Sequence, residues 1–161
     1  MEETANLLGP MRVKDLMVAE FVTVTTDMPW KEAAALLCAH HVASAPVVDA
    51  EGKLVGILSE KDLFHGLFPR YQDWIAEPHG YLSFEDLEPD ASDLENRTVG
   101  DVMSRRIITA TPETPVLKVG ALMTASGIHH VPVIEGTKLV GLVNRGSIYR
   151  AILGRTFGIE G

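Results

Sequence analysis

Apolar residues recur along this chain in two rhythms, and the same succession of rhythms occurs twice. In the first copy a short amphipathic piece, Val13–Met17, precedes a β-rich run, Val22–Thr25. Trp30, Ala33, Leu36 and Leu37 then fall at helical spacing, which predicts a helix opened by Pro29 and ending near His40-His41. A strand over Ala45–Asp49, a turn at Ala50-Glu51-Gly52, a strand over Leu54–Leu58 and a closing helix over Glu60–Leu67 follow. The second copy repeats the order. Val99–Met103 and Ile108–Thr111 come first, and Thr114 stands as a cap ahead of Pro115. Val116, Val119, Leu122 and Met123 mark the buried side of a helix, and Gly127 ends it. Strands over Val131–Glu135 and Leu139–Val143 flank Gly136-Thr137, and Arg145–Leu153 closes the copy. The pattern predicts an α+β fold with the order β-α-β-β-α, twice.

The two copies also match residue by residue. Val13-Lys14-Asp15-Leu16-Met17 returns as Val99-Gly100-Asp101-Val102-Met103, an offset of 86 residues. Thr23, Thr25, Pro29, Leu36 and Pro46-Val47 meet Thr109, Thr111, Pro115, Leu122 and Pro132-Val133 at the same offset. Lys53-Leu54-Val55-Gly56 meets Lys138-Leu139-Val140-Gly141 one residue earlier, at 85. A copy of about 50 residues is marginal as an independent core. The expectation is therefore one pseudo-twofold unit with a cleft between the copies. It divides into 1–67 (repeat 1 with an N-terminal segment), 68–98 (an insertion) and 99–161 (repeat 2 with a tail).

Charge changes the picture in one region. The chain carries 14 basic and 22 acidic residues, net −8. Residues 68–98 hold eight acids and two bases, so they account for −6 of it. They also hold Phe68, Tyr71, Trp74, Tyr81 and Phe84, half of the chain's aromatics. Disordered linkers are poor in aromatics, so the insertion is expected to be partly helical and to pack on the body or on a partner. The acidic balance argues against nucleic acid, which is bound by neutralising phosphates. No apolar run is long enough to span a membrane, the N-terminus is acidic, and Cys38 is the single cysteine. These features point to a cytoplasmic protein. Cys38 itself is expected to be a small buried hydrophobe. No metal, nucleophile or phosphate-loop motif is present, which argues against an enzyme and against a required cofactor.

Val13-x-Asp15-x-Met17, Thr23, Pro29, Pro46-Val47-Val48-Asp49 and Gly56-Ile57-Leu58-Ser59-x-x-Asp62, with the second copy matching through Gly141, resemble the CBS-domain pattern. The resemblance implies a tandem CBS pair, or Bateman module, standing alone. Such modules bind adenosine-containing ligands, commonly form homodimers and signal to a regulated protein. AMP, ADP, ATP and S-adenosylmethionine are the implied ligands.

Ser59 and Asp62 are the first candidates for a site. A carboxylate one turn into a helix can accept from both hydroxyls of a ribose, Ser59 can add a third bond, and the resemblance assigns them that role. The same Ser59-x-x-Asp62 spacing also reads as a helix-capping box, and the two roles can coexist. The resemblance places the base beside Val42, Ala43, Ser44, Ala45 and Pro46, with Thr23 and Val24 lining the same slot; plain sheet packing would also explain Thr23, Val24, Ala45 and Pro46. In copy two Asn144 and Ser147 replace the serine and the acid, so that site is expected to be weak or altered. Arg145, His129 and His130 stand where a phosphate would be met. Each can equally be an ordinary solvated or hydrogen-bonded side chain. The competing reading is an interaction module whose ligand site has decayed.

Overall fold

A computed structural model describes residues 11–69, 71–76 and 96–159. They fall into two compact units, Val22–Glu51 with Val55–Arg106, and Met1–Phe21 with Gly52–Leu54 and Ile107–Gly161. These are called the first-repeat and second-repeat units below, after the repeat that supplies most of each.

The first-repeat unit runs β1 (Val24–Thr25), α1 (Trp30–His40), β2 (Ser44–Val48), β3 (Leu54–Ser59, all but its first residue), α2 (Glu60–Leu67), α3 (Tyr71–Ala76) and α4 (Val99–Val102). Its sheet has the order β1-β2-β3, and β1 pairs parallel to β2 through Val24–Val47 and Thr25–Val48. Alternation sets the faces of β3, where Leu54, Gly56 and Leu58 are buried and the residues between them are half-buried. Trp30, Ala33 and Leu37 of α1 meet Val24, Ala45, Val47, Leu58 and Leu63 in one core. Arg97 lies 5.4 Å over the Trp30 ring.

The second-repeat unit runs α5 (Val116–Ser126), β4 (His130–Glu135), β5 (Lys138–Asn144) and α6 (Arg145–Phe157), with a 3-10 turn at Val13–Asp15. β4 and β5 pair antiparallel from His130–Asn144 to Glu135–Lys138, with an irregularity at Val133/Ile134. Val116, Val119 and Met123 of α5 pack with Val131, Val133, Val143 and Ile148. The expected strand Ile108–Thr111 is reduced to one parallel bridge, Ala110–Val133.

Each unit borrows the opening piece of the other repeat. Val13 N–H donates to Thr114 O, Lys14 N–H to Pro112 O and Val116 N–H to Met11 O, at 2.9–3.1 Å. The first-repeat unit holds the matching set: Val99 to Met28, Gly100 to Thr26 and Trp30 to Arg97. Val13 and Val99 are fully buried there. Two features of the repeated motif follow from this docking. Asp15 accepts from the Arg12 N–H and Asp101 from the Thr98 N–H, both at 2.8 Å, so each acid closes its own turn. Those backbone and side-chain bonds from Thr98 hold the Asp101 carboxyl below its usual range. The strand glycines then admit the methionines. A Cβ on Gly56 would lie 2.7 Å from Ser104 O and 2.9 Å from Met103 Sδ, and one on Gly141 would lie 2.7 Å from Met17 Sδ.

Several local expectations change. Pro29 and Pro115 occupy the cap positions rather than the first helical ones. The Thr114 hydroxyl turns away from the helix and accepts from the Thr111 N–H. α1 ends on His41 in the left-handed region (φ 53°), where α5 uses Gly127 (φ 68°). Cys38 is exposed, not buried: it follows Leu37, and one residue turns the helix about 100° from the core-facing side to solvent. Of the 68–98 insertion, Phe68, Pro69, α3 and residues 96–98 are described. Tyr81, Phe84 and most of its acids lie outside the described residues.

Candidate functional site

The sequence of β3 runs straight into α2, and that junction positions the first-repeat candidates. Ser59 keeps extended dihedrals (φ −117°, ψ 160°) and caps the helix. Its Oγ accepts from the Asp62 N–H at 3.1 Å, and Asp62 Oδ2 accepts from the Ser59 N–H at 2.9 Å. The capping box of the sequence therefore forms, and both side chains are half-buried. The Glu60 N–H, at the start of the same helix, donates to Ala43 O at 2.9 Å. That bond ties the Val42-Ala43 loop to the helix N-terminus, where backbone N–H groups and the helix dipole favour an anionic or hydroxyl-rich guest.

The other first-repeat candidates divide by exposure. Thr23 and Ala43 are exposed and Val42 is half-buried, so they offer side-chain surface. Val24 and Ala45 belong to the core at 1% and 0% exposure, and Pro46 is buried as well. Their side chains serve packing, and these positions can meet a guest only through backbone. Ser44, at the start of β2, is the buried polar residue among the described ones.

The second-repeat unit has the same scaffold with different chemistry. Asn144 caps α6, its Oδ1 accepting from the Ser147 N–H at 2.8 Å. The Arg145 N–H donates to His129 O at 2.8 Å, the counterpart of the Glu60–Ala43 bond. His130 pairs with Asn144 across the sheet, so His129, His130, Asn144 and Arg145 gather at one strand end. His129 and Arg145 are exposed and His130 is half-buried. Burial pushes the His130 imidazole below its ordinary value, and its neighbour His129 adds to the shift. At physiological pH it is therefore a neutral hydrogen-bonding group, with the Arg145 guanidinium near it at the strand end. Among the described residues no cluster of His, Cys, Asp or Glu could hold a metal. No helix among them is long and apolar enough to cross a membrane.

The backbone bonds from Glu60 and Arg145 were not legible as site features, although the repeat offset pairs their positions. Glycine inside both strand patterns was the readable signal for the Met103 and Met17 contacts.

The CBS-domain family model matches residues 13–68 and 99–154, and the chain belongs to that family. Among curated relatives it is 30% identical over 155 residues to the uncharacterised protein MJ1426 of Methanocaldococcus jannaschii, spanning 89% of this chain and 92% of that one. Among solved structures it resembles the CBS-domain pair of protein MJ0100 in complex with 5′-methylthioadenosine and S-adenosyl-L-methionine. The identity is 28%, the TM-score 0.68, and 90% of this chain and 98% of that chain are covered. It also resembles CBSX2 in complex with AMP, at 26% identity and a TM-score of 0.67, over 88% of this chain and 96% of that one. The fold is thus that of a tandem CBS pair, and two of its structural neighbours hold adenosine compounds.

Proposed function

We propose that this protein is a regulatory module that binds an adenosine-containing ligand without turning it over. The observation that carries the reading is the β3–α2 junction. Asp62 and Ser59 stand together, half-buried, at a helix N-terminus joined to the Ala43 loop. Asp62 Oδ2 is committed to the cap. A carboxylate's remaining lone pairs suit a ribose diol, and capping does not exclude that use. In this reading Thr23, Val42 and Ala43 flank the base, with backbone at Val24, Ala45 and Pro46. AMP, ADP, ATP and S-adenosylmethionine are the candidate ligands; adenosine compounds in MJ0100 and CBSX2 support the class. His129, His130 and Arg145 form a second, altered place suited to a phosphate or another anion. The module acts in the cytoplasm as a homodimer and passes the ligand's preference for one conformation to a regulated protein.

A second reading has a specific observation behind it. Ser147 stands where Asp62 stands in the other repeat, so the second-repeat place lacks a charged acceptor. If the first had also lost its ligand, the chain would be an interaction module. A thermal-shift titration with AMP, ADP, ATP and S-adenosylmethionine separates the two. A ligand at 100 times its Kd adds about 2.7 kcal/mol, which raises Tm by roughly 5–10 °C for a chain of this size. A shift that disappears in Asp62→Ala supports the sensor. Silence across all four ligands overturns it in favour of the interaction module.

A further inference from the structure

The two ends of the 68–98 insertion meet at one place, the last turn of α2. At its entry the Phe68 N–H donates to Phe64 O at 2.9 Å, and the two rings lie 4.9 Å apart. At its exit Arg97 Nη1 donates to Gly66 O at 3.3 Å. A helix leaves its last carbonyls without intrahelical donors, and a cation there also suits the helix dipole. The same guanidinium lies 5.4 Å over the Trp30 ring, and the Arg97 carbonyl accepts from the Trp30 N–H at 3.1 Å. Gly66 leaves room for both groups: a Cβ there would sit 2.8 Å from Trp30 Cζ3 and 3.4 Å from Arg97 Nη1. Arg97 thus joins the exit of the insertion, the start of α1 and the end of α2.

The other unit shows that the fold closes without this clamp. The repeat offsets carry Trp30, Gly66 and Arg97 to Val116, Ala151 and Met11. The backbone bond is kept there, from the Val116 N–H to Met11 O at 3.1 Å, but none of the three side chains is a cation or an aromatic ring. The clamp therefore belongs to the unit that has both Asp62 and the insertion. α2 lies between them. It has eight residues, a length of about 12 Å. Its first turn is held by the Ser59–Asp62 bonds and its last by Arg97. In so short a helix the turns form and loosen together.

We propose that Arg97 is a positioning residue that ties the insertion to the start of α2, so that whatever restrains Asp62 also restrains residues 68–98. The proposal rests on the ligand reading for its signal, and it names the insertion as the segment through which a regulated protein senses that signal.

Hydrogen exchange on the full chain, followed in peptides from 68–98, tests it first without ligand. Asp62→Ala is expected to speed exchange there about threefold or more. Arg97→Met, which copies Met11 of the other unit, should fold and speed it at least as much. The double variant should stay within about 1.5-fold of Arg97→Met alone, because the tie is already cut. Arg97→Lys keeps a cation over Trp30 and should retain most of the wild-type protection. AMP and S-adenosylmethionine are then added in turn. The compound that binds should slow exchange in 68–98 in the wild type and not in Arg97→Met, whose Kd by calorimetry stays within about threefold of wild type.

Exchange in 68–98 that ignores Asp62→Ala, or that multiplies in the double variant, overturns the tie. Exchange at the unprotected rate in every variant does the same, as does ligand-induced slowing that survives Arg97→Met. A Kd raised beyond threefold makes Arg97 a prop of the ligand place itself and overturns its role toward the insertion. Failure of both compounds to bind overturns the ligand reading alone, because the ligand-free comparison decides the tie by itself.

Discussion

Two helix starts with one backbone plan carry different side chains. At α2, Ser59 and Asp62 exchange two hydrogen bonds, and at α6 a single bond runs from the Ser147 N–H to Asn144. Beside them the Ala43 and His129 carbonyls accept the first helical N–H, from Glu60 and Arg145. The carbonyl that takes the first helical N–H and the cap that takes the N3 N–H are thus common to the two units, while the side chains at the helix start are not. One unit presents a carboxylate and hydroxyls, the other imidazoles and a guanidinium. The shared backbone bonds are those the fold needs, and the side chains beyond them differ between the repeats.

The comparison can be broken where the units look most alike. Gly56→Ala and Gly141→Ala make the same change at matching strand positions. At Gly56 the new methyl meets a backbone oxygen, Ser104 O, as well as Met103. At Gly141 its nearest neighbours are atoms of the Met17 side chain, whose sulfur at 2.7 Å lies toward the flexible end. Gly56→Ala is expected to cost about 2–3 kcal/mol and Gly141→Ala about 1 kcal/mol, by urea denaturation. Equal costs would mean that both strands yield in the same way.

A smaller difference tests the helix starts. Asp62→Ala is expected to weaken adenosine-ligand binding about 10- to 150-fold by calorimetry, the worth of one or two charge-assisted bonds. It should also remove about 0.5–2 kcal/mol of stability with the cap. Ser147→Ala should change stability by less than about 0.5 kcal/mol, because Asn144 bonds to the backbone N–H of that residue and not to its hydroxyl. The reverse exchange, Ser147→Asp, sharpens the contrast. It should add a few tenths of a kcal/mol through the helix dipole, seen as a small rise in Tm.

The smallest effect concerns pH. His130 has a lowered folded pKa, so the unfolded chain binds its proton more readily. Its contribution to stability is complete above the ordinary histidine value of 6.5 and is lost as pH falls through the lowered folded value. The first-repeat unit has Ser44 at the corresponding position, which does not titrate. His130→Ser should therefore flatten part of the fall in Tm between neutral pH and about pH 5. An unchanged slope would place the acid sensitivity elsewhere.

Much of this was legible in the chain. Helical spacing marked Trp30, Ala33 and Leu37, and in the second copy Val116, Val119 and Met123, as core; all six are buried. Leu36 and Leu122, named with them, are half-buried because each lies at the edge of its helix's apolar side. The Ser59-x-x-Asp62 spacing announced a capping box and the box is formed, since a cap depends on residues three apart. Cys38 was misread because apolar composition alone does not say which side of a helix a residue occupies.

The sequence by itself determined the repeat, the order of its elements, the family and the candidates at each helix start. All of these rest on periodicity and short-range spacing, which a linear string records. The tertiary structure alone decided that Val13 docks beside Thr114 and Val99 beside Met28, so that each unit is completed by the other repeat's opening segment. It alone removed the Val24 and Ala45 side chains from any guest. The reason is physical: two near-identical segments satisfy the same hydrogen bonds and bury the same valine in either unit. Spacing along the chain cannot separate those pairings; only the folded path of the backbone does.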